Sequence, residues 1–327
     1  MLYGNGGVER SLAVKSRFKL NRVRIRSIGV SGCSIDSVMI PTPPEVFDDP
    51  SYLLGRSWLE SCLHADNLDV PVLPQIATEV MAMSQDPNAD MGDLSELIHQ
   101  DQSIAGRVLR IANSAAFAGS ERIVSLQQAV ARMGLELLSE IAVSIAIQGN
   151  VFQSPRYRAE MDQLWQHALV SALFAKEIAR FLRKHVEGHY LCGLLHAIGK
   201  PMILKLLIQH EVNGAAALPR EVVLALVEQY HQPFGVRVTT QWALPSVIRV
   251  VNEWYVDYAR APAFALETAV TYLASRLATF FFSPDAQSDR QLLYDPVFEV
   301  LNLYPQDRLL LLERREVVEQ RLKSIQL

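Results

Sequence analysis

Three histidines, His167, His196 and His231, lie on apolar helical segments in the second half of the chain and raise the question of a metal centre. The stretch CGLLHAIGK at 192–200 sharpens it. A buried-looking helix carries His196 and then a glycine and a lysine, the layout expected around a catalytic metal ligand. A carboxylate would complete such a site at the next position, but Ala197 stands there. A lone histidine on an apolar helix is more often a hydrogen-bonded core residue than a ligand. Three on separate helices of one lobe raise the odds, because bundle cores are where facing helices assemble metal sites. If they converge, three imidazoles and a water make a competent zinc site.

Other polar residues have two roles open to them. Asn113 and Ser114 sit where a helix should end, where short polar side chains satisfy free backbone groups; ligand contact is the alternative. Gly199 reads as a helix C-terminus, and Lys200 beside it suits the negative end of the helix dipole. A contact from Lys200 to a phosphate is its other reading.

The elements that must position these residues are helical almost without interruption from residue 71. Ile76, Val80 and Met83 form an apolar stripe. Pro87 breaks it, and Asp90, with Asp93 three residues on, caps the short helix DLSELIHQ. Asp101 caps DQSIAGRVLRIANS, whose Ile104, Val108, Ile111 and Ala112 face one way. Ser125 is the N-cap of LQQAVARM and Gly134 its stop. LELLSEIAVSIAI follows, and a first lobe closes near QSPRY at 153–157. A second lobe opens with MDQLWQHALVSALFAKEIARFLRKH (161–185), whose apolar and small residues suit close packing inside a bundle. No segment shows strand alternation, so the expected fold class is all-α, a two-lobed helical bundle. In the tail PQDRLLLLERREVVEQRLKSI, Leu311, Val318 and Ile325 recur every seven residues; this face either closes the core or meets a partner helix.

The 327 residues carry a net charge of −4, unevenly spread. Arg10, Lys15, Arg17, Lys19, Arg22, Arg24 and Arg26 oppose only Glu9 and Asp36 in residues 1–38. The rest, with 24 basic and 33 acidic side chains, would repel a phosphate backbone, so nucleic acid is not an expected partner. The basic segment reads as a flexible leader (1–50), as an arm for an acidic partner or membrane, or as sequence upstream of an alternative start at Met39. Cys33, Cys62 and Cys192 lack metal-type spacing and are odd in number, which fits free thiols in a reducing cytoplasm. No run approaches the roughly 18–20 apolar residues of a membrane span.

Several motifs in order resemble a known family. VPVLPQIATEVMAM, LIHQDQSIAGRVLRIANSAAF and SLQQAVARMG are similar to the first lobe of HDOD domains, and LWQHALVSALFAKEIA, CGLLHAIGK and QWALP to the second. The resemblance runs from about Val70 to Leu277. It implies kinship with HD-domain metal phosphohydrolases, which use a histidine, a His-Asp pair and a later aspartate on a helical bundle. Their first histidine falls on His167, the pair on His196 and Ala197, and the later aspartate on Ser275. His231 stands where many members have a histidine, and a double histidine after W-x-L-P falls on Trp254 and Tyr255. Both carboxylates are thus missing, whereas hard divalent ions want oxygen donors and a binuclear hydrolytic centre needs bridging groups. Glu267, two turns before Ser275, is the candidate replacement carboxylate. Trp254 and Tyr255 are expected to fill space a metal and its water would occupy.

The resulting expectation is an HDOD domain over 70–285, with lobes at 70–155 and 156–285. A linker or short helix at 51–69 precedes it and a C-terminal helical segment at 286–327 follows. Its function is expected to be non-catalytic signal transduction of bacterial type, without cofactor. It would act through protein contacts, and a small ligand could occupy the vestigial cleft. The resemblance implies signalling partners of cyclic-di-GMP or two-component pathways, expected on separate polypeptides because only about 65 residues precede the domain. The alternative is a phosphohydrolase acting on a nucleotide or cyclic dinucleotide through remodelled metal ligation.

Overall fold

The computed structural model describes residues 44–66, 68–83, 91–114, 117, 121–283 and 292–325. The chain divides into two units, 1–34 and 35–327. The first unit, the alternative start Met39 and the expected cap Asp90 lie outside the described residues. Every regular element among the described residues is a helix, and the fold is all-α.

Structure begins before the expected end of the leader. A 3-10 turn at Pro44–Asp48 leads to Asp49, whose side chain accepts from the Ser51 amide at 2.8 Å and caps α1 (Pro50–His64). Tyr52, Gly55, Leu59 and Cys62 recur at helical spacing and are buried. They pack α1 on α10 (Arg220–Gln241). Of the two readings of 51–69, linker or short helix, most of the segment takes the helical one, and its buried face joins the core.

The first lobe comprises α2 (Gln75–Met83), α3 (Met91–His99), α4 (Gln102–Ala112), α5 (Leu126–Met133) and α6 (Leu135–Val151). The expected caps at Asp101, Ser125 and Gly134 form. Asp101 accepts from the amides of Ser103 and Ile104, Ser125 accepts from Gln128, and Gly134 ends α5 at φ +83°. That φ lies in the left-handed region glycine alone enters without strain. Helix α6 is buried on most of its circumference, as a helix that is apolar all round must be. It packs on α2, α4 and α5 in its own lobe and on α8 (Val186–Leu195) of the second.

The second lobe holds α7 (Arg158–Phe181), α8 (Val186–Leu195), α9 (Gly199–Val212), α10, α11 (Ser246–Trp254), a 3-10 segment (Tyr255–Arg260) and α12 (Ala265–Phe282). Helix α7 lies between α8 and α12. A Cβ on Gly193 would lie 2.7 Å from Ala172 Cα and 2.8 Å from the Ser171 carbonyl oxygen. Helices α7 and α8 thus meet backbone to backbone, which brings His167 and His196 together. The most apolar 18-residue window within Val186–Val212 has a mean hydropathy of 1.6, and by length and composition alone that segment could cross a membrane. A turn at 196–198 divides it, and 83% of its most apolar window is buried in protein.

Gly199 is not a helix stop. It opens α9, and a Cβ there would overlap the His231 carbonyl oxygen, so the glycine exists to let α9 and α10 touch. Lys200 accordingly sits in a first turn, not at a C-terminus.

The tail closes the core within the chain. Leu311, Val318 and Ile325 are buried on helices Pro305–Glu313 and Arg315–Ile325, and the latter packs on α7. Between the lobes, buried Lys176 of α7 pairs with Glu140 of α6 and with Glu136 at 2.6 Å. Burial lifts the Glu140 carboxyl to about 6 against the pull of Lys176.

Candidate functional site

Helices α7, α10 and α12, the turn after α8, the start of α9 and the 3-10 segment enclose a cavity of about 200 Å³. His167, His196, Ala197, Lys200, Tyr255 and Ser275 all line it. His231 stands behind Tyr255.

The hydrogen bonds settle the imidazole tautomers. His196 Nδ1–H donates to the Gly193 carbonyl at 2.8 Å, and His231 Nδ1–H donates to the Glu228 carbonyl at 2.7 Å. Each ring therefore presents Nε2 as an acceptor. The Tyr255 hydroxyl donates to His231 Nε2 at 3.1 Å. Thr279 gives its hydroxyl proton to the Ser275 carbonyl at 3.0 Å, so His167 Nε2–H donates to Thr279 Oγ1 at 3.2 Å. The lone pairs of two of the three histidines are thus not aimed at a common point.

The rings are neutral at pH 7. Burial first, and the Lys200 charge second, depress both His167 and His231 to about 4. Burial, then His167, hold His196 well below its ordinary 6.5. Lys200 Nζ donates to Glu228 Oε2 at 2.7 Å across the α9–α10 contact.

Tyr255 fills the space between His196 and His231. Its ring meets His196 edge to face at 4.8 Å between centroids and lies 6.0 Å from His231. Trp254 does not join it: the indole is half-buried at the end of α11 and does not line the cavity. Glu267, in the first turn of α12, does not line it either and supplies no replacement carboxylate. Asn113 and Ser114 belong to the first lobe, away from the cavity lining. Asn113 is a cap and staple: its amide group donates to the Leu109 and Ile123 carbonyls and accepts from the Ile123 amide, each at 2.8 Å. Ser114 is buried.

The donor set does not fit a hydrolytic metal centre. His167 and His196 are close, with ring centroids 5.7 Å apart, but Tyr255 separates them from His231 and occupies its Nε2. The positions that would supply oxygen carry Ala197 and Ser275, and the carboxylate at the rim, Glu228, is engaged by Lys200. Among the described residues, no three His, Cys, Asp or Glu side chains group as a metal ion requires. The three-histidine zinc site is therefore not assembled.

Sequence reasoning missed Arg276 and Thr279, which also line the cavity. Thr279 is one turn beyond Ser275 and shares its face of α12. Arg276 is the sole cation in ALETAVTYLASRLATFFF, a signal that was available.

The HDOD domain family model matches residues 70–257. A protein of Treponema pallidum, uncharacterized, is 28% identical over 210 residues, covering 61% of this chain and 40% of that protein. The chain thus spans well under half of that relative's length. An HDOD domain protein of unknown function from Geobacter sulfurreducens has a crystal structure that superposes with a TM-score of 0.63 at 22% identity. It covers 84% of this chain and 97% of that one. A Shewanella amazonensis structure, assigned provisionally to the metal-dependent phosphohydrolases, gives a TM-score of 0.62 at 22% identity, covering 84% and 99%. Likeness at that identity carries the fold alone.

Proposed function

The chain belongs to the HDOD domain family, and on that premise we propose that it is a non-catalytic output or scaffold domain of bacterial signal transduction. It acts through protein contacts, in the cytoplasm, on signalling partners of cyclic-di-GMP or two-component type. The observation that carries this reading is the remade donor set. Ala197 and Ser275 stand at the carboxylate positions, while Tyr255 is wedged against His196 and hydrogen-bonded to His231. A binuclear centre needs bridging oxygens and an activated water, and these residues offer neither. Exposed Tyr294, Val300, Tyr304, Leu309 and Leu310, concentrated near the C-terminus, support a role in protein contact.

Metal analysis of protein purified without chelator, followed by a phosphodiesterase screen with added Mn²⁺ or Zn²⁺, tests the reading. Substoichiometric metal and no turnover are expected. Stoichiometric metal, with turnover abolished by His196→Ala, would establish the phosphohydrolase instead.

A further inference from the structure

We propose that the cavity beside His167 and His196 binds a small hydrophobic monocarboxylate without any metal, and that Arg276 is the group that holds the carboxylate. The inference deepens the non-catalytic reading and rests on it.

The argument begins with charge. Three charged side chains line the cavity: Lys200, Glu228 and Arg276. Lys200 and Glu228 neutralise each other at 2.7 Å. Arg276 forms no ion pair among the described residues, and its Nε is buried with no hydrogen-bond partner. The three histidines near the cavity are neutral, so among the described residues its wall carries one uncompensated positive charge. A buried donor without an acceptor is costly, and an ionised acceptor is its strongest partner. The planar guanidinium fork matches a carboxylate in two parallel hydrogen bonds. One positive charge balances a monoanion, whereas a phosphate dianion would leave a charge unmatched in a cavity whose wall includes the apolar side chains of Phe152, Leu164, Ala168, Ala197 and Val256.

The uncharged residues at positions 197 and 275 also suit the site to an anion. An aspartate at 197 or at 275 would neutralise Arg276 and repel a carboxylate. Alanine and serine do neither, and they leave the guanidinium available.

Size narrows the ligand further. A cavity of roughly 150 Å³ accommodates benzene, so about 200 Å³ suits a single ring with a short acidic arm. A cyclic dinucleotide is far too large to be enclosed. The Ser275 hydroxyl, which lines the cavity, is a neutral donor able to complete the carboxylate's hydrogen bonding.

Benzoate is the probe. Calorimetric titration and thermal unfolding of the full chain in EDTA should show benzoate binding and stabilisation, with benzamide far weaker. Arg276→Met should weaken benzoate by about tenfold or more, the loss expected for a charge-assisted pair. Ala197→Leu keeps Arg276 and fills the space, and should abolish binding even if Arg276→Met fails to fold. The proposal is overturned if benzoate does not bind, if benzamide binds equally well, or if benzoate affinity survives Ala197→Leu or a folded Arg276→Met. Absence of benzoate binding in a protein that also takes up no metal sinks the ligand alone. Benzoate binding that appears only with Mn²⁺ or Zn²⁺ sinks both this site and the non-catalytic reading.

Discussion

Lowering the pH from 7 to 5 should destabilise the protein through the histidines around the cavity. His231 is 3% exposed and is depressed to about 4 from its ordinary 6.5. In the unfolded chain it takes a proton as pH falls through 6.5, whereas in the folded protein it stays mostly neutral until about 4. The unfolded state therefore binds more protons across this window, and stability falls with pH, the loss being complete below the folded value. Between pH 7 and pH 5 this amounts to about 2 kcal/mol for His231. His196, held well below 6.5, acts with the same sign, and His167 does so more weakly because it borders the cavity. Glu140 opposes them. Its folded carboxyl, raised to about 6 from 4.5, takes a proton first and returns about 1 kcal/mol. The net expectation is a loss of about 2–3 kcal/mol, a large share of a typical domain stability of roughly 5–15 kcal/mol. Urea unfolding followed by tryptophan fluorescence at pH 7, 6 and 5 measures it, with His231→Gln as control. In that variant the pH dependence should shrink by about 2 kcal/mol. A stability that is flat or rising from pH 7 to 5, or an unchanged slope in His231→Gln, would refute the reasoning.

Other changes test the packing that holds the site. Gly199→Ala forces a methyl into the His231 carbonyl and should cost about 3 kcal/mol, read as a lower urea midpoint. Lys176→Ala leaves Glu140 buried without its cation and should cost about 3–5 kcal/mol; Lys176→Met with Glu140→Leu should recover most of it. Asn113→Ala removes three hydrogen bonds at the end of α4 and should cost about 1–2 kcal/mol in thermal unfolding while leaving benzoate affinity unchanged.

What was legible in the sequence follows the range of the interactions involved. Asp101, Ser125 and Gly134 act on amides and carbonyls a few residues away, and their roles could be read directly. The apolar spacing in the tail likewise announced a buried face, because Leu311, Val318 and Ile325 answer to one helical period. Gly199 obeyed a different constraint. Its local pattern, a glycine followed by lysine after an apolar run, is that of a helix stop, but its cause is the His231 carbonyl 32 positions along the chain. Helix periodicity cannot register such a contact, so the same residue that looked like an end is a beginning.

The site divides in the same way. His167, His196, Ala197 and Ser275 could be placed by resemblance, and the fold does bring them to one cavity. His231 could not be assigned a ligand role by position alone, because that depended on whether Tyr255 would take its Nε2. The turn from α11 into the 3-10 segment decides this by sending Tyr255 inward and leaving Trp254 out of the lining. Arg276 escaped notice because a search for metal ligands looks for anions and imidazoles. Once both carboxylates are gone, the remaining charge on the wall is positive, and the chemistry to ask about is no longer what ion the cavity holds but what anion Arg276 holds there.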